Sequence, residues 1–256
     1  MTDWDSEYYK THALAQERSG REMIDSHLFS GEERILDLGC GDGKLTYYLA
    51  SKVPSGEVVG LDISEAMIAQ AQQDYADVAN LSFVKVGAEE FVFDQPFDLI
   101  MSFNALHWVK DHAEVLARSK KSLKPGGEIL FFMVSGRGDP RIRDILLSER
   151  WKPYVRGLDE RYNRMNELDY EVLLDQLGFK KDLVEIREFA HHYPTQEALA
   201  DHFMTWLPYA MNLSSERCRD LATEISENIA NGRSTDVVYK VAMLVIKAHL
   251  SASSRT

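Results

Sequence analysis

The stretch "ILDLGCGDGKLTYYL" (35–49) carries an apolar run into three glycines, Gly39, Gly41 and Gly43, and restarts with helical periodicity. Glycines at such a strand-to-helix turn let the backbone pass close to a ligand. Their spacing is G-x-G-x-G. The dinucleotide spacing, G-x-G-x-x-G, would place a third glycine where Lys44 stands, and no G-x-x-x-x-G-K-[ST] phosphate loop occurs. Asp62 closes the next apolar run, "EVVGLD", where an acid can accept both hydroxyls of a ribose. Asp37 lies just before the loop, where a carboxylate can order it and face a cationic ligand.

These side chains need a scaffold that brings the ends of successive strands together. "RILDL" (34–38), "EVVGLD" (57–62), "LSFVKV" (81–86), "FDLIMSF" (97–103) and "EILFFMV" (128–134) read as short strands. Helical stretches lie at Lys44–Val53, Ser64–Ala76 and Asp111–Leu123, the last stopped by the turn "LKPGGE". Repeated units of this kind predict an α/β fold, a doubly wound and mostly parallel seven-stranded sheet with helices on both faces. Residues 1–33 read as an N-terminal helical cap. Residues 135–165 break the alternation as an insertion, and with the helices at Thr195–Trp206 and Ser214–Asn231 they form the expected helical lid. A helix at 169–177 and a charged strand at 180–189 lie between them, and the run 237–250 is read as the last strand rather than a helix. One domain over 1–256 follows, with its cofactor-binding core at 34–134.

The 256 residues carry a net charge of −12 at pH 7, which argues against a nucleic-acid partner. Lys120, Lys121 and Lys124 form the densest basic patch and read as a solvated face. There is no apolar run of membrane length and no leader-like N-terminus. Cys40 and Cys218 form no disulfide framework and no zinc spacing, so no metal is expected and the location is read as cytoplasmic.

"ILDLGCGDG", "VVGLDIS", "FDLIMSFNALHWV" and "LKPGGEIL", in this order, resemble the motif series of class I S-adenosylmethionine-dependent methyltransferases over roughly 34–134. That resemblance implies S-adenosyl-L-methionine as cofactor. Gly39 and Gly41 would admit its amino-acid part, beside Asp37 and Asn104, and Asp62 would take the ribose hydroxyls. Ile63 and Met67 would wall the adenine, and Ala88 would offer it a backbone N–H. One position departs from the family pattern. Gly87 stands where an acid usually accepts the adenine amino group, which leaves Glu89 to reach back to it.

Acceptor chemistry is read after the fourth strand, at "NALHW". An (Asn/Asp)-Pro-Pro-aromatic run, a Pro-Cys nucleophile and a paired-glutamate loop are all absent, which leaves a small molecule as acceptor. "FNALHWVKD" and the N-terminal "YYKTHALAQERSGREMI" are similar to the trans-aconitate and juvenile-hormone-acid carboxyl methyltransferases. The implied acceptor is an organic acid, its carboxylate oriented by the uncharged donors Gln16 and Trp108. His107 would act as a base only if the acceptor began as a phenol or alcohol. Arg137, Arg141, Arg143 and Arg156 would draw in an acidic substrate or simply solvate the surface. Methylation at N, C or S, a non-catalytic cofactor-binding protein, and a dehydrogenase are the alternatives, the last disfavoured by Lys44.

Overall fold

The computed structural model describes residues 4–155, 158, 162–211 and 213–252. Its strands are β1 (Arg34–Leu38), β2 (Glu57–Asp62), β3 (Leu81–Lys85), β4 (Phe97–Phe103), β5 (Leu123–Val134), β6 (Lys180–Thr195) and β7 (Thr235–His249). They form one seven-stranded sheet in the order β3-β2-β1-β4-β5-β7-β6. β1 to β5 pair in parallel, and β7 runs antiparallel between β5 and β6. The mostly parallel sheet expected from the alternation is present, and the run read as the last strand is strand from its start through His249. The central β1 and β4 are almost wholly buried, as strands covered on both faces must be.

Described helices are α1 (Ser6–His12), α2 (Leu14–Asp25), α3 (Lys44–Lys52), α4 (Glu65–Asp74), α5 (His112–Ser122), α6 (Pro140–Leu146), α7 (Glu167–Leu177), α8 (Gln196–Met204), α9 (Leu207–Ala210) and α10 (Ser215–Ala230). Several starts are set by side-chain caps that satisfy first-turn N–H groups, among them Ser64 on α4, Asp111 on α5, Thr195 on α8 and Ser214 on α10. Met23, Ile24, Leu49 and Val53 of α2 and α3 pack on one sheet face against Ile35, Leu99 and Phe132. Val115, Leu116, Tyr170 and Leu174 of α5 and α7 pack on the other against Leu36, Ile100 and Phe131.

Two boundaries differ from the sequence reading. Leu123 still pairs with Phe97 before the Pro-Gly-Gly turn, and regular pairing with β4 resumes at Leu99 and Glu128. β6 continues past Phe189 to Thr195, pairing with β7 back to Thr235, beyond the reach of β5. The alternation Phe189, His191, Tyr193 (buried) against Ala190, His192 (exposed) carries it on. This projecting ribbon, with α6, α8, α9 and α10, builds a third apolar cluster around Trp151, Leu199, Phe203 and Tyr239. That cluster roofs the carboxyl ends of the parallel strands.

Candidate active site

A cavity of about 270 Å³ opens at those carboxyl ends, where open α/β sheets bind ligands. All twelve residues singled out in the sequence line it: Gln16, Asp37, Gly39, Gly41, Asp62, Ile63, Met67, Ala88, Glu89, Asn104, His107 and Trp108.

The glycine loop is folded back onto the end of β2. Gly39 and Cys40 both donate their N–H to the Leu61 carbonyl, at 2.8 and 2.9 Å. Gly39 has φ +72°, and a Cβ there would meet the Ala105 Cβ at 2.2 Å, so its lack of a side chain serves the packing of the β1 and β4 turns. Gly41 has φ +55°, and a Cβ there would meet nothing within 4 Å, only the cavity. Its N–H donates to the Asp62 carboxylate at 3.0 Å, and Ser64 N–H donates to the other Asp62 oxygen at 2.9 Å. Asp37 is buried, with one oxygen accepting from the Thr46 hydroxyl at 2.8 Å and the other without a hydrogen-bond partner. Burial, opposed by the Thr46 bond and reinforced by the Asp62 charge, pushes its pKa up to about 7.

Beyond the loop lie the expected adenine walls. Ile63 is 68% exposed and Met67 is buried, and both line the cavity. One Glu89 oxygen accepts the Asp111 N–H at 2.7 Å, which ties it to the start of α5 and leaves the other for a ligand. Asn104 adopts φ +56°, donates its N–H to the Phe132 carbonyl at 2.8 Å, and buries a side-chain amide nitrogen with no partner. An orphaned acceptor on Asp37, an orphaned donor on Asn104 and an open Gly41 fit a zwitterionic ligand with a ribose. They are the residues that could hold S-adenosylmethionine.

After β4 the chain makes a single 3-10 turn, Leu106–Trp108. His107 is buried, and desolvation, with the charges of His112 and Arg164, holds its pKa down to about 3. Its Nδ1 accepts from Val134 N–H at 3.4 Å, so the neutral ring carries its proton on Nε2. Trp108 stands edge-on to Trp4 (5.3 Å) and Tyr162 (4.9 Å), and its indole N–H has no partner among the described residues. Gln16 is turned differently from the donor expected. Its amide nitrogen donates to the Thr205 hydroxyl at 3.4 Å, that hydroxyl donates onward to the His202 carbonyl, and the buried Gln16 Oε1 has no partner. Because the Thr205 proton is committed, Gln16 must present nitrogen to it, which leaves its oxygen unpaired.

Of the arginines named in the sequence, the described ones do not line this space. Arg137, Arg141 and Arg143 pair with Glu167, Asp139 and Asp144, and Arg156 lies outside the described residues. The basic patch is similarly engaged: Lys120 caps the Leu177 carbonyl and Lys124 pairs with Asp98. Lining residues not singled out as site residues in the sequence include Trp4, Tyr162, His191, His202 and Tyr239. Continued period-two alternation past Phe189 was the available signal for His191. Trp4 comes from the opening segment, stacking on Tyr209 at 3.8 Å, a contact that only the fold creates.

Sheet order, loop geometry and cavity together define a methyltransferase of the sulfonium-cofactor class. The comparisons agree. The family described as "Methyltransferase domain" matches residues 35–127. The trans-aconitate 2-methyltransferase of Variovorax paradoxus (strain S110) is 35% identical over 56% of this chain and 54% of its own length. That of Acidovorax ebreus (strain TPSY) is 27% identical over 78% of each. In fold, the chain is similar to the phosphoethanolamine N-methyltransferase 2 of Haemonchus contortus in complex with S-adenosyl-L-methionine. There the TM-score is 0.64 at 21% identity, over 91% of this chain and 52% of that one. The chain is a class I S-adenosylmethionine-dependent methyltransferase. Among the described residues no helix is long and apolar enough to cross a membrane.

Proposed function

We propose that this enzyme methylates a carboxylate oxygen of a small organic acid in the cytoplasm. The observation that carries the reading is the pair of uncharged donors after β4, the free Trp108 indole N–H and the Nε2–H of a neutral His107. A carboxylate is already ionised at pH 7, so its site needs donors to orient it and no base. Neutral donors hold an oxygen without quenching it through a full ion pair. The relatives named trans-aconitate 2-methyltransferase support this choice of acceptor.

S-adenosylmethionine, when bound, supplies the methyl group on its sulfonium. Asp62 accepts the ribose hydroxyls, and Gly39 and Gly41 let the backbone close on the amino-acid part. Asp37 and Asn104 meet its ammonium and carboxylate with their unpartnered atoms. Ile63 and Met67 cover the adenine, Ala88 donates its backbone N–H to it, and the free Glu89 oxygen accepts its amino group. Trp108 and His107 then align the acceptor oxygen for in-line displacement, and such alignment supplies much of the acceleration. Trp4, Tyr162 and Trp206 act as the lid that keeps water out.

Amine methylation is the second reading, favoured by the aromatic walls and by the acids Glu17, Asp37, Asp42, Asp62 and Glu89 around the cavity. The test is formation of S-adenosylhomocysteine from acids and amines of matched carbon skeleton. Acids are expected to turn over and amines to lag. An amine faster than every acid overturns the carboxylate reading and leaves the methyltransferase class intact.

A further inference from the structure

The cavity has a second polar end, formed by elements absent from the cofactor core. His191 lies on the projecting part of β6, His202 on α8, and Thr205 and Gln16 face each other across α8 and α2. His191 and His202 are 6% and 8% exposed; both residues line the cavity, and the Nδ1 of each is buried without a hydrogen-bond partner. The Gln16 Oε1 is a third unpartnered atom at this end. Buried polar groups left unpaired in this way are costly unless a ligand pairs them.

We infer that this end recognises an uncharged group that both donates and accepts hydrogen bonds, a hydroxyl or primary amide, on the part of the acceptor remote from the methylated atom. The inference rests on the proposed small-molecule acceptor. Three features select an uncharged group. Gln16 Oε1 can only accept, so the ligand must bring a donor, which a carboxylate lacks. The imidazoles are neutral: burial holds His191 down to about 4 and His202 down to about 3, with exposed Arg18 and neighbouring His192 also acting on His191. Neutral imidazoles offer one donor and one acceptor each, a match for a hydroxyl or amide. Finally, Lys44 is the one Lys or Arg among the described lining residues, and it is engaged by Glu17, Asp42 and the Lys10 carbonyl. A second carboxylate would enter this end with no free cation to meet it. His191 and His202 are therefore specificity residues.

The test compares monoacids ending in hydroxyl or amide with chain-length-matched diacids and alkyl monoacids, and repeats the three endings on amines. Turnover is read as S-adenosylhomocysteine formation, and binding by calorimetry on protein saturated with S-adenosylhomocysteine. The hydroxyl or amide ending is expected to lead the alkyl ending by at least about tenfold in kcat/KM or affinity, with diacids weakest. His202→Phe and His191→Phe should each shrink that ratio toward one. Methylation of amines only would sink the carboxylate reading and still read out the preference of this end. Equal binding of all three endings by the unaltered protein, or a lead for the diacid, overturns the inference whichever atom is methylated.

Discussion

The Asp62 carboxylate and the Gly41 backbone N–H meet at 3.0 Å, which joins the end of β2 to the middle of the glycine loop. The same carboxylate takes the Ser64 N–H at the start of α4. One acid therefore shapes the loop and lines the cavity. Asp62→Ala should lower S-adenosylmethionine affinity by roughly tenfold to a few hundredfold, since each hydrogen bond to a charged group is worth about 1.5–3 kcal/mol. Calorimetric titration giving an unchanged affinity would remove Asp62 from the cofactor site.

The two loop glycines should separate binding from stability. Gly41→Ala adds a methyl that meets only the cavity, so cofactor affinity should fall while stability drops only by the modest strain of a left-handed alanine, about 1–2 kcal/mol. Gly39→Ala drives its methyl into Ala105 and should cost more stability than Gly41→Ala. Thermal melts with and without cofactor check the order of the two effects.

Asp37 should make cofactor binding pH-dependent. In the free protein its pKa is raised to about 7, so below that pH a cationic ligand must displace a proton to use the carboxylate. Affinity should therefore rise by about tenfold from pH 6 to pH 8, and Asp37→Asn should abolish that share of the slope. In the free protein the same shift opposes folding as pH rises. Its stabilising effect is full below the ordinary value of 3.8 and is lost as the pH passes through about 7. A slope that survives Asp37→Asn would place the proton elsewhere.

Trp108→Phe keeps the aromatic wall and deletes one N–H. Turnover of an acid should drop at least about tenfold with cofactor affinity nearly unchanged. The acid's methyl ester and primary amide should be inert.

His107, held down to about 3, is neutral throughout the working range, so kcat at saturating cofactor should show no titration of this ring between about pH 5 and 8. His107→Gln keeps a neutral donor and should stay within about tenfold of the parent. A loss of roughly 10²–10⁴-fold with a rate titrating near neutrality would instead mark His107 as a base and the acceptor as protonated.

Local chemistry alone determined the sheet and the cofactor face of the cavity. Strand alternation, the G-x-G-x-G turn and Asp62 at a strand end lie within short windows, and the parallel order then brings those ends together. The face proposed for the acceptor was decided by contacts between distant segments. Gln16 leaves its oxygen unpaired because Thr205, 189 residues away, accepts from its nitrogen and donates its own proton to the His202 carbonyl. His191 reaches the site because β6 overruns β5 and pairs with β7 alone, a continuation that Pro194 and two histidines obscure in the sequence. Arg137, Arg141 and Arg143, three of the arginines that suggested attraction of an acid, are paired with carboxylates and do not line the cavity. Periodicity and turn residues specify which elements form. The direction of an amide and the company of a charge depend on which elements pack against them, and only the tertiary structure sets that.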